Sequence, residues 1–151
     1  MKLKSNLVFS DGTTQTTASA SASAMNYAQT KAAKQSGVTA SGVTLASCSI
    51  TTKGYPVQIT AIGDAENSTA GGWIKLQLFR DSTAIGTTIS CESSAGSENV
   101  PYALTYIDTP SAGTYTYSLK TASVAAVGSF NFGEYDGPVI TAVELAGAQG
   151  A

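Results

Sequence analysis

Trp73-Ile-Lys-Leu-Gln-Leu-Phe-Arg80 alternates large apolar residues with polar ones, breaks at Asp81-Ser82, and resumes with Ile85 and Ile89. Side chains two residues apart share one face of an extended strand, whereas a helix repeats every three or four. The stretch therefore predicts a β-hairpin, Trp73 to Arg80 going out and Ala84 to Cys91 returning. Its apolar residues face a core on one side only, so more strands must supply the rest of that core.

Those strands are legible on both sides. Val43 to Ile50 alternates with the same period, and β-rich runs recur at Val57 to Ile62, Tyr102 to Asp108, Thr114 to Thr121, Ser129 to Phe132 and Val139 to Ala146. Turn-forming stretches separate them, among them Gly54-Tyr55-Pro56, Asn67 to Gly72, Ser93 to Asn99, Thr109 to Gly113 and Tyr135-Asp136-Gly137-Pro138. Eight short strands at this spacing predict an all-β fold, an antiparallel sandwich or jelly roll over residues 43–151. Residues 1–42 read as an extended N-terminal arm. In the arm, Leu3 to Phe9 predicts a short strand ended by the Asp11-Gly12 turn, and Ser19 to Lys34 permits one short helix with Met25, Ala28 and Ala32 on one face. Gly37 and Gly42 mark residues 35–42 as a hinge. A second hairpin is expected from Tyr102 to Asp108, through Pro110 and Gly113, back along Tyr115 to Leu119. Its tyrosines fit cross-strand packing or a subunit interface better than a sugar-binding shelf.

Charged residues make up 12% of the 151, about half the usual share, and Ser, Thr, Ala and Gly take the balance. A surface so poor in charge favours an oligomer. The charge is also divided. Residues 1–34 hold Lys2, Lys4, Lys31 and Lys34 against Asp11, a net of +3, while the remainder holds Lys53, Lys75, Arg80 and Lys120 against nine acids, a net of −5. A basic arm on an acidic body points to an acidic partner surface. Four scattered lysines without interleaved aromatics make a poor phosphate track, so nucleic acid is not the expected partner. No run approaches 18 apolar residues, and Leu7-Val8-Phe9 is too short for a signal-peptide core. Neither a membrane nor secretion is expected.

Chemistry is poorly provided for. The chain has no histidine, the usual base for a Ser or Cys nucleophile. Cys48 and Cys91 lie outside any metal-binding spacing and read as buried free thiols. Asp64 with Glu66, and Glu134 with Asp136, are carboxylate pairs of the kind glycosidases use, but they fall in turn-rich segments where solvated acids are the ordinary case. Asp64-Ala65-Glu66-Asn67 has too few ligands for a Ca²⁺ loop, and Asn67-Ser68-Thr69 matches a glycosylation sequon by chance. Glu144 is the one acid in a strand expected to be buried, read as facing water at the strand end or pairing across a subunit contact. No enzyme, no cofactor and no metal site are expected.

The segment Leu7-Val-Phe-Ser-Asp-Gly-Thr-Thr-Gln-Thr-Thr-Ala18 resembles a short motif that recurs in structural proteins of tailed bacteriophages, especially phages of cyanobacteria. More loosely, the body resembles the trimeric jelly-roll knobs of the tumour-necrosis-factor and complement globular-head type found on phage heads and fibres. The resemblance implies a homotrimer displayed on a virion assembled in the host cytoplasm. Its docking arm would comprise Lys2, Lys4, Phe9, Asp11, Gly12, Thr13, Thr14 and Gln15, and its trimer interface Tyr115, Tyr117, Val139, Thr141 and Val143. With no fibre-like repeat in the chain, the expected role is a capsid decoration or cement protein bound to the major capsid protein or another virion protein. The alternative is a tail-fibre or adhesion-tip protein that binds a host receptor or glycan.

Overall fold

The computed structural model describes residues 7–8, 10–12, 14–15, 25–125 and 127–145. Every described strand pairing is antiparallel, and two sheets form a sandwich with no helix among the described residues. At the N-terminus, β1 (Leu7–Val8) pairs with β2 (Thr14–Gln15) across the Asp11-Gly12 turn, where Gly12 takes a φ of +83° that costs glycine little. Then come β3 (Tyr27–Lys31), β4 (Gln35–Val38), β5 (Thr44–Thr52), β6 (Val57–Asn67), β7 (Trp73–Arg80) and β8 (Thr83–Glu92). The series ends with β9 (Glu98–Asp108), β10 (Gly113–Val124), β11 (Phe130–Phe132) and β12 (Val139–Glu144).

One sheet runs β5-β10-β7-β8 and contains the hairpin read from Trp73. The other centres on β6, paired along its whole length with β9 on one side. On the other side β6 is shared: β12 covers Val57 to Ile62 and β11 covers Ala65 to Asn67. The core lies between the sheets, with Ile59, Ala61, Phe130, Phe132 and Ile140 on one side and Leu45, Ile74, Leu76, Tyr117 and Leu119 on the other, all nearly inaccessible.

Three expectations are corrected. Residues 27–31 form a strand, not a helix: β3 pairs with β12, placing Tyr27 beside Val143 and Lys31 beside Val139. The supposed hinge contains β4, which pairs with β11, so sheet pairing begins at Tyr27 and not at Val43. The second hairpin does not form. β9 lies in the β6 sheet and β10 in the other, so the apolar stripes of the two strands meet across the core instead of side by side. The link between them is an arch, held by Asp108. Arg80 Nη1 donates to both its oxygens at 3.0 and 2.9 Å, and the Tyr117 hydroxyl donates to Oδ2 at 2.8 Å.

Glu144 is also corrected, being buried and fully engaged within the chain. Its Oε1 accepts from Thr52 Oγ1, from Lys53 N at 2.6 Å and from Tyr55 N at 3.4 Å, and Asn26 donates to Oε2. Burial alone would raise its pKa, but these donors outweigh it and hold the carboxyl below its ordinary value. A carboxyl depressed on folding stabilises the fold above the unfolded pKa, and that contribution disappears as pH falls through the folded value. Urea midpoints should therefore fall for the wild type below about pH 4.5, the ordinary carboxyl value. Glu144→Gln should lose about 1.5–3 kcal/mol at pH 7 and show less of that acid dependence.

Candidate functional site

Where β6 changes partner from β12 to β11, Gly63 and Asp64 have a strand on one side only. The 133–138 loop crosses this gap, with Gly133 N donating to the Asp64 carbonyl and Glu134 N to Asp64 Oδ2 at 3.1 Å. Its far end is fixed by Ala32 N donating to the Pro138 carbonyl at 2.8 Å. The loop lies so close to β3 that a side chain at 137 would collide with the Ala32 carbonyl. Held at both ends, it walls a pocket of about 320 Å³, within the range of roughly 300–1,000 Å³ usual for ligand sites.

Tyr135 is 87% exposed and offers an open ring at the mouth. Asp64 and Asp136 line the sides, and Ile62 and Val139 the apolar part of the wall. The floor includes Tyr102. Its hydroxyl occupies the space a side chain at 63 would need, 2.4 Å from that position, so Gly63 is required for close approach. The Tyr102 hydroxyl is buried without a hydrogen-bond partner. Burial, followed by the nearby Cys91 and Asp64, pushes this phenol well above its ordinary value and keeps it a proton donor. Outside the wall, Lys31 pairs with Asp136 and Lys34 with Glu134.

The two carboxylate pairs are thus brought to one place, since Asp64 receives the backbone of Glu134. They lie on strand and loop walls open to solvent. The candidate Ca²⁺ loop is part of β6: Asp64 and Glu66 point outward and Asn67 inward, so nothing wraps an ion. Asn67 is fully buried, with Oδ1 accepting from Thr69 N, which places the sequon amide out of reach of solvent. Cys48 and Cys91 are buried free thiols, and burial pushes Cys91 up to about 11.

The residues expected at a trimer interface do not form one surface. Tyr117 is wholly inside the sandwich, and Tyr115 packs on the core beneath Arg80, whose guanidinium lies 5.5 Å from its ring centre. Val139, Thr141 and Val143 instead point outward from β12, because Ile140, Ala142 and Glu144 occupy its buried face. Of the docking arm, Asp11 and Gly12 form the turn and Thr14 and Gln15 the second strand of the small hairpin. Lys2, Lys4, Phe9 and Thr13 lie outside the described residues. Tyr135 is the site residue that sequence reading passes over. Its one signal is an aromatic side chain flanked by acids in an Asp-Gly-Pro turn.

No family model and no curated protein matches the chain. Among solved structures, the C-terminal CBM6 of LamC, a marine laminarinase from Zobellia galactanivorans, is similar over 77% of this chain and 98% of that one, at 12% identity and a TM-score of 0.35.

Two tyrosine hydroxyls, one satisfied and one not, should respond in opposite ways to removal. Tyr117→Phe should cost about 1.5–3 kcal/mol by losing a hydrogen bond to a carboxylate. Tyr102→Phe should fall within about 0.5 kcal/mol of wild type or gain stability, because the group it removes has no partner. Denaturant titration of both variants measures the contrast, and equal losses would show that the Tyr102 hydroxyl is paired.

Proposed function

We propose that this chain is a non-catalytic binding module of a phage particle, a tail-fibre or adhesion-tip unit that engages a host-surface glycan. The observation that carries this reading is the pocket at the β6 gap. A solvent-facing tyrosine ring, two carboxylates and an unpaired phenol converge on a preformed concavity. An aromatic face packs against the C–H surface of a sugar ring, and carboxylates accept its hydroxyls in charge-assisted hydrogen bonds. The same walls are ill suited to catalysis, because Asp64, Asp136 and Tyr135 border open solvent and no histidine is available as a base. The N-terminal segment, with its small hairpin, serves as the attachment to the particle.

The decoration reading has its own support on the outer face of the β6 sheet. Strand register places Lys31, Val139, Ile62 and Ala103 in one row, Gln29, Thr141, Thr60 and Thr105 in the next, and Tyr27, Val143, Gln58 and Ile107 in a third. Lys31 is the one charge among these twelve positions, and Tyr27, Ile62 and Ile107 are 68, 48 and 55% exposed. A face of this composition favours association with another copy or with a capsid subunit.

Full-length protein tested against polysaccharide extracted from host cells, and separately against empty heads, separates the two readings. An adhesion module retains the polysaccharide, and Tyr135→Ala abolishes retention while leaving the melting temperature within a few degrees. Binding to empty heads that survives Tyr135→Ala, with no retention of polysaccharide, refutes the glycan reading.

A further inference from the structure

The ionisable lining of the pocket is one-sided. Asp64 and Asp136 border it, and no lysine or arginine does. The two nearest cations identified, Lys31 and Lys34, are already paired with Asp136 and Glu134. Glu66 projects from the same outer face of β6 as Asp64, two residues along the strand. The polar groups that reach the pocket are thus anionic acceptors together with one phenol donor, Tyr102, which is 5% exposed and unpartnered.

We infer that the pocket selects uncharged hexosyl units and discriminates against uronate, sulfated and sialylated ones, an inference that rests on the glycan reading above. A neutral pyranose carries several hydroxyl donors, and each carboxylate can accept from neighbouring hydroxyls in short charge-assisted hydrogen bonds. A sugar hydroxyl oxygen in turn gives the Tyr102 hydroxyl the acceptor it lacks, which accounts for a buried polar group left unpaired in the free protein. An anionic sugar reverses both terms. Its carboxylate or sulfate supplies acceptors where acceptors already stand, and it sheds hydration beside two like charges with no cation on the lining to offset them. Unit charges about 5 Å apart near a protein surface repel strongly enough to lower affinity about ten-fold. Neutral-sugar binding should be nearly independent of salt, since no charge is transferred with the ligand.

The test uses the full chain and matched pairs of ligands: methyl β-glucopyranoside with methyl β-glucopyranosiduronate, and the two galacto counterparts. Nuclear magnetic resonance follows the Tyr135 ring signals through each titration. The neutral member of at least one pair should bind about ten-fold more tightly than its uronate. Raising salt from about 20 to about 200 mM should narrow that gap by weakening the repulsion alone. Asp136→Asn, a change at an exposed loop residue, should narrow it at low salt by relieving uronate binding. Tyr102→Phe should weaken neutral-sugar binding without lowering stability. A uronate that binds as tightly as its neutral partner in every pair overturns the charge selection and leaves the glycan reading standing. Absence of any Tyr135 shift with all neutral members overturns both.

Discussion

The sandwich depends on one mismatch of length. β6 runs for eleven residues and β9 follows it throughout, whereas the six-residue β12 and the three-residue β11 divide its other edge. Backbone groups left at such a division must find partners, because an unpaired buried peptide group costs as much as a lost hydrogen bond. The 133–138 loop supplies one: Gly133 N reaches the Asp64 carbonyl. It can do so only by folding over the sheet surface, and that fold creates the pocket wall. The concavity is therefore a consequence of how the strand edge is satisfied.

The buried polar groups divide into two sets with different physical character. Asp108 and Glu144 are surrounded by donors, and each ties separate parts of the chain together: Asp108 joins β7, β9 and β10, and Glu144 joins the end of β12 to the β5–β6 turn and to Asn26. A buried carboxylate is tolerated when such donors replace its hydration, and losing them is expensive. The Tyr102 hydroxyl has no such compensation. A group left in that condition beside a pocket is a standing cost to the free protein that a ligand can relieve. Stability is concentrated at the two carboxylate hubs, and the uncompensated polarity lies at the binding end.

Much of the fold was legible because period-two alternation survives in the long strands. β7, β8, β10 and β12 all carry an apolar face dense enough to be seen in Leu76, Leu78, Ile85, Leu119 and Ile140. β3 and β4 escaped because they are sheet margins. Tyr27-Ala-Gln-Thr-Lys31 has only Ala28 packed toward the core, and an Ala-rich stretch with Lys and Gln scores as well for a helix. The false hairpin arose from an ambiguity inherent in alternation. Tyr102 and Leu104 against Tyr117 and Leu119 show the same stripes whether the strands lie side by side or face one another across a core. The pocket was not legible, because it joins Gly63-Asp64 to Tyr135-Asp136, about seventy residues apart, and local pattern carries no record of that approach.

The ion pairs around Tyr135 illustrate how position and stability separate here. Lys31–Asp136 is well exposed, with side chains 57 and 69% accessible, and Lys34–Glu134 is partly so at 41 and 35%. Pairs of this kind contribute about 0–1 kcal/mol each, since water screens them and two long side chains lose freedom. Their value lies in bracketing Tyr135. Glu134 is drawn toward Lys34 beyond the end of β3 and Asp136 toward Lys31 on that strand, so the intervening ring is turned outward over the gap. The backbone bonds from Ala32 and to Asp64 carry the loop energetically, and the charge pairs orient its tip. An aromatic side chain presented by a held loop loses less freedom on meeting a ligand than one on a free loop. A surface otherwise poor in charge thus places two of its lysines beside the residue most exposed to a partner.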